Sequence, residues 1–198
     1  MTAFGVRSPF RLSPMAAALL AIAACTDPFD LREGEPHEEL PEWWLIPVTP
    51  QLVLEDLVQL YENQAASLIS NLAAEGYRFL PDPSDAVSFP DAKELDVDDE
   101  ERFTLSLLAN PPTLTLTPSR PDGAPVNDEI ELYRDYTLTV ASPFGNEPPP
   151  VITAEGEAVF RLQRSPVGVE WEIVEWEDRR GATEWSWGLM KLELTGGG

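Results

Sequence analysis

Two residue types that carry much of protein chemistry are almost missing from this chain of 198 residues, which has one cysteine and one histidine. With Cys25 as its single thiol the chain can form no internal disulfide. His37 stands in an acidic, proline-bearing stretch, so Ser-His-Asp and Cys-His nucleophilic arrangements are excluded. A transition-metal site lacks imidazole and thiolate ligands for the same reason. Basic residues are scarce too: 13 Lys and Arg face 35 Asp and Glu, for a formal net charge of -22. So acidic a surface is repelled by nucleic acid and by anionic head groups. No apolar run reaches the roughly 20 residues needed to cross a bilayer, and there is no internal repeat.

What is present begins with the stretch "MAAALLAIAACTDPFD" at 15–30. Arg7 and Arg11 are the only charges before Cys25, and every side chain from Met15 to Ala24 is apolar. A charged start, a short apolar middle and a small-residue end make a secretory signal peptide over 1–24. The four residues Ile22-Ala23-Ala24-Cys25 resemble the lipobox of bacterial lipoproteins. The resemblance implies diacylglycerol on the Cys25 sulfur, cleavage before it and acylation of the new amino terminus. Two or three acyl chains anchor a protein to a membrane, at roughly 0.8 kcal/mol per buried CH₂. Removing 1–24 takes two arginines with it and moves the formal charge from -22 to -24. In two-membrane bacteria an aspartate directly after the lipidated cysteine commonly retains a lipoprotein at the inner membrane. Here that position is Thr26, which favours the outer membrane.

Residues 25–48 read as a linker. Four prolines and seven acids between Thr26 and Val48 forbid a regular helix and favour an extended chain. Trp43, Trp44, Leu45 and Ile46 break that pattern, an apolar cluster expected to dock on its own domain, with a surface awaiting a partner as the alternative. The folded part spans 49–195, with a Gly tail at 196–198.

Thr49-Pro50 supplies an N-cap oxygen and a proline for the first helical turn, with Leu54, Leu57, Val58 and Tyr61 at helical spacing behind them. A second helical piece is expected from Ala65 to Ala74, stopped by Gly76, with a short strand at 77–80. "DVDDEERFTLSLLAN" predicts another helix with acids at its N-terminal end. "DVDDEE" also suggests a calcium loop, but the sixth position, glycine in an EF-hand, is Glu101 here, which favours a helix-capping role.

Beyond residue 112 the period changes to two. "TLTLT" alternates, and so do "IELYRDYTLTV", with Arg134 as an inward exception, and "VITAEGEAVFRLQR". "GVEWEIVEW" and "TEWSWGLMKLEL" complete five or six expected strands. Helices first and strands afterwards predict an α+β fold, with helices packed on one face of an antiparallel sheet.

Two stretches carry a resemblance to the NTF2-like (SnoaL-like) superfamily. "TPQLVLEDLVQLYENQAASLISNLAAEGYRFLPDPSD" is similar to its opening of helix, turn, helix and strand. "WEIVEWEDRRGATEWSWGLMKLEL" resembles the closing strand pair of envelope-associated members, with Trp171, Trp176, Asp178, Trp187-Gly188 and Lys191 in a W…WxD…WG…K pattern. The resemblance implies a cone: N-terminal helices on a strongly curved antiparallel sheet, around a pocket. The insertion at 81–95 and the proline-rich hairpin at 143–150 depart from a minimal member.

Enzymes of that superfamily use a His–Asp pair, an Asp–Arg–Asp set, or a tyrosine with acids, and the first is absent here. Asp135 and Asp178, each beside aromatics, are the candidate general bases, since an apolar pocket raises a carboxyl pKa. Set against this, Asp135 can face solvent and Asp178 can end a strand. Tyr61, Tyr136, Trp176, Trp185 and Trp187 are candidates for a pocket or an interface, where the alternative is cross-strand core packing. The leading expectation is a lipid-anchored envelope protein with a non-catalytic NTF2-like domain. It would need no cofactor or metal and would bind a small apolar ligand, a protein or a second copy of itself. The alternative is an isomerase- or dehydratase-like enzyme, and a spacer with a filled cone is a third reading.

Overall fold

Thr49 opens the first helix, α1 (Pro50–Glu62), by accepting the Leu52 N–H on its side chain at 3.4 Å, and Pro50 fills the first turn. In the computed structural model, residues 40–89, 94–107, 111–141 and 150–195 are described. The signal segment, Cys25, the linker up to residue 39, residues 143–149 of the proline-rich hairpin and the Gly tail lie outside them. One face of α1 buries Val53, Leu57 and Leu60 completely.

After α1 the sequence expectation needs correction. Residues 66–71 form a 3-10 helix (Ala66–Asn71), not an α-helix to Ala74, and β1 (Ala73–Leu80) starts at once. Gln64 leaves α1 in the left-handed region, and the Ser70 hydroxyl donates to Ser67 O at 3.1 Å, so local side chains compete with α-helical pairing. Gly76 lies inside β1 with φ +79°, where the register slips against the neighbouring strand. Short α2 (Pro83–Ala86) follows. In α3 (Val97–Ser106) the acidic run forms a capping box: Asp98 N and Asp99 N donate to Asp96 Oδ1, and Asp96 N donates to Asp99 Oδ2, all at 3.0 Å.

The strands β2 (Thr113–Pro118), β3 (Glu129–Ala141), β4 (Val151–Arg164) and β5 (Trp171–Arg180) join β1 in one sheet of order β1-β5-β4-β3-β2. The sheet is mixed, because β1 runs parallel to β5 while the other pairs are antiparallel. No hairpin links β1 to β5, so nothing forces them antiparallel. On β3, Ile130, Leu132, Arg134, Tyr136, Leu138 and Val140 face the helices. In β5 the register against β4 slips by one between Arg161 and Leu162. That bulge lets Trp171 and Ile173 face inward, and Trp176 and Asp178 as well, although strict alternation would separate the two pairs.

The expected last strand is a helix, α4 (Trp187–Thr195), so among the described residues the sheet has five strands and no closing hairpin. The reason is legible afterwards. Residues 185–195 hold Leu, Met, Lys and Glu, good helix formers, and their only β-branched residue is the last, Thr195. Ser186 accepts the Leu189 N–H on its hydroxyl at 2.9 Å, as an N-cap does. Gly181 makes no hairpin turn; its N–H donates to Glu155 O at 2.9 Å, and a Cβ there would lie 2.6 Å from that oxygen.

Candidate functional site

The motif residues converge where β3, β5 and α4 meet. Three free N–H groups begin α4, and three side chains take them. Trp187 N donates to the Tyr136 hydroxyl at 2.9 Å, Gly188 N to Asp178 Oδ2 at 2.7 Å, and Leu189 N to Ser186 Oγ at 2.9 Å. Asp178 is 0% exposed. Burial pushes its carboxyl up to about 6 against the lowering pull of the Gly188 N–H, the Tyr136 hydroxyl and Lys191. Burial also raises the Tyr136 hydroxyl, with the Asp178 charge adding to it. Gly156 on β4 makes room for that tyrosine: a Cβ there would stand 2.6 Å from the Tyr136 oxygen and 2.3 Å from Arg179 O.

Tyr61, Tyr136, Trp176 and Trp187 form one buried aromatic cluster around this cap. The Trp176 and Trp187 rings meet edge to face at 4.2 Å, Tyr61 and Tyr136 each stand 5.2 Å from Trp187, and Trp187 Nε1 donates to the Tyr61 hydroxyl at 3.1 Å. The expected meeting of Trp176 with Trp187 therefore occurs, but between a strand and a helix. Trp185 is half-buried, and its carbonyl accepts from the Thr183 hydroxyl at 2.7 Å.

Lys191 completes the pattern. Its ammonium is wholly buried, pairs with Glu100 of α3, and lies 3.5 Å over the Phe79 ring and 3.6 Å over Trp176. Burial pulls the amine down to about 8, opposed by Glu100. The Tyr77 hydroxyl also donates to Glu100, at 3.0 Å. Asp85 of α2 accepts from Ser186 and Arg180, tying the start of α4 to the end of β5. These side chains are buried and many of their polar groups bond to one another, while Trp176 Nε1 and Glu100 Oε2 have no hydrogen-bond partner among the described residues.

Asp135 is elsewhere, exposed on the outer face of β3. That face is charged: Glu157 accepts from Ser119, Arg120 and Arg179 at 2.7, 3.2 and 2.9 Å, and the Arg120 guanidinium lies 3.5 Å over Tyr133. Among the described residues no three His, Cys, Asp or Glu side chains gather closely enough to hold a metal ion.

A cavity of about 460 Å³ opens between residues 43–45, α1 and the β2–β3 edge of the sheet. Trp43 and Trp44 pack against the domain core, Pro47 O accepts the Trp171 N–H at 2.8 Å, and Leu45 N donates to Asp56 Oδ1 at 3.2 Å. Asp56 lines the cavity and is 1% exposed, with its carboxyl raised by burial to about 6. Arg134, the inward exception of β3, lies at the same cavity and forms a two-pronged pair with Asp122 at 2.7 and 2.8 Å. Sequence reasoning missed Asp56 as a site residue. Its signal was there: Val53, Asp56, Leu57 and Leu60 share one helical face, and only Asp56 among them is polar.

No known family profile and no curated protein matches the sequence. Solved structures do match. A proposed scytalone dehydratase from Novosphingobium aromaticivorans has a TM-score of 0.54 at 9% identity, over 68% of this chain and 84% of that one. A conserved protein from Planctomyces limnophilus has 0.52 at 13%, over 64% and 89%. An NTF2-like superfamily protein from Salmonella enterica has 0.50 at 13%, over 67% and 89%. With its helices laid on a five-stranded mixed sheet, this chain has the NTF2-like fold.

Proposed function

We propose that this protein is a lipid-anchored component of a bacterial cell envelope whose NTF2-like domain binds a ligand or a protein without turning over a substrate. The observation that carries the non-catalytic reading is the fate of Asp178. It is buried beneath the cluster and bonded to the first turn of α4, and unlike Asp56 it does not line the 460 Å³ cavity, so it serves the fold. A general base must come within hydrogen-bond reach of the proton it removes. Asp135, exposed on the outer face of β3, lines an open, charged concavity with Glu155, Glu157, Arg179 and Arg180, where solvent and charged side chains surround the carboxylate in place of an enclosing apolar pocket. The 460 Å³ cavity has instead the size of a small-molecule site, for which about 300–1,000 Å³ is typical.

One observation favours the dehydratase-like alternative, namely a carboxyl raised to about 6 beside a tyrosine. On that reading Asp178 would act as the base once α4 moved aside. The anchor rests on Ile22-Ala23-Ala24-Cys25, and Thr26 after the cysteine supports delivery to the outer membrane.

Intact mass of the protein taken from its own membranes tests the anchor. The expected result is a chain starting at Cys25 with acyl mass, absent from Cys25→Ser; wild-type protein without acyl mass overturns it. Native mass spectrometry of the same sample tests binding, through a retained small molecule or partner. Turnover of a dehydratase or isomerase substrate that Asp178→Asn abolishes would overturn the non-catalytic reading.

A further inference from the structure

The cavity beside residues 43–45 carries an inference that rests on the ligand-binding reading. Its apolar walls are Trp43, Leu54, Val58 and Leu116. Its charged groups do not balance. Arg134 is its single cation among the lining residues, and both terminal nitrogens are held by Asp122. Glu55 and Asp56 are left without a counter-charge at the cavity.

Asp56 is the more demanding of the two. It is 1% exposed, its Oδ1 accepts the Leu45 N–H, and its Oδ2 has no hydrogen-bond partner among the described residues. A buried carboxylate with an empty oxygen calls for a donor, and the best donor is a cation. The charge that perturbs it is Glu55, of the same sign. An indole in the wall offers a cationic group a further attraction.

We propose that this cavity binds a small organic cation, an ammonium or amidinium on an apolar body, with the charged end on Asp56 Oδ2 and the body against Trp43 and Leu116. A neutral or anionic molecule of the same shape would leave the acid unanswered. The competing arrangement is a proton on Asp56, which satisfies the same oxygen with no ligand.

The test uses the full-length chain at pH 7.5 with three probes of one shape: 2-phenylethylammonium, 2-phenylethanol and 3-phenylpropanoate. Calorimetry and tryptophan fluorescence read binding. The ammonium is expected to bind one to one, at least about ten-fold more tightly than the alcohol, with the carboxylate weakest. Asp56→Asn, which keeps the shape and an acceptor for Leu45 N, should bring the ammonium down to the level of the alcohol. Glu55→Gln, on the exposed side of α1, should weaken the ammonium by a smaller factor and leave the alcohol unchanged. Trp43→Ala should weaken both.

Equal binding of ammonium and alcohol overturns the proposal and leaves the ligand-binding reading standing. Ammonium binding that survives Asp56→Asn overturns it at this site. If no probe binds, Asp56 is answered by a proton and the proposal fails. The broader reading then stands or falls on the molecule retained in native mass spectrometry.

Discussion

Asp178 and Gly188 lie ten residues apart, and the carboxylate of the first accepts the backbone N–H of the second at 2.7 Å. The acid caps a helix that begins against a strand, so its charge is held next to the positive end of the α4 dipole. Burial nevertheless dominates, and the carboxyl sits at about 6 in place of 3.8. A folded-state pKa above the unfolded one gives stability that is fully present below about pH 3.8 and lost as pH rises through about 6. The cap therefore costs more as the pH rises. Asp178→Asn should be less harmful at pH 7 than at pH 4 by about 2 kcal/mol, since one pKa unit is worth about 1.4 kcal/mol. Urea unfolding of both proteins at the two pH values reads it; a pH-independent difference would sink the idea.

Truncating the cluster should threaten the domain. Trp176 and Trp187 are both 0% exposed. Replacing either by alanine is expected to cost about 3–5 kcal/mol, a fall in melting temperature of about 10 °C or more. An unchanged melting point would assign that tryptophan to a surface role.

The Lys191–Glu100 pair should behave as a unit. Lys191→Met leaves a buried carboxylate uncompensated and should cost about 3–5 kcal/mol. Adding Glu100→Gln should restore much of the loss, because the orphaned charge is gone. Chemical denaturation of the two single variants and the double variant closes the cycle, and strict additivity would show that the two do not interact.

Gly156 should tolerate no side chain. Its Cβ would collide with Arg179 O and the Tyr136 hydroxyl, so Gly156→Ala is expected to cost about 2–3 kcal/mol by overpacking. It should also couple to Tyr136→Phe, since both act on the Trp187 N–H bond. Thermal melts of the three variants measure this, and an alanine variant as stable as wild type would contradict the close approach.

How much could be read beforehand follows from which signals are local. Thr49-Pro50, the acidic start of α3 and the alternation of β3 and β4 are local and were legible. The helix at 187–195 was not, because Trp185, Trp187 and Leu189 also fit a period of two. The choice was made by Ser186 and by two acceptors, Tyr136 and Asp178, from distant strands. The bulge in β5 was equally hidden: Trp171 and Trp176 are five residues apart, which alternation assigns to opposite faces. Arg134 announced itself as an inward charge, but its partner Asp122 lies in a loop that no periodicity describes.

The order of the sheet also sets when the domain can form. β1 finds its place only beside β5, and the Arg78–Glu175 pair across that seam joins residues 97 apart. A chain emerging amino terminus first therefore carries α1 and β1 with their apolar faces unmatched until its last quarter arrives. The indole of Trp187, which meets Tyr61, Tyr136 and Trp176, comes later still. High contact order of this sort slows folding and lengthens the exposure of sticky surface. Deleting 187–195 should accordingly give a chain that never completes its core and collects in aggregates, however intact the preceding five strands.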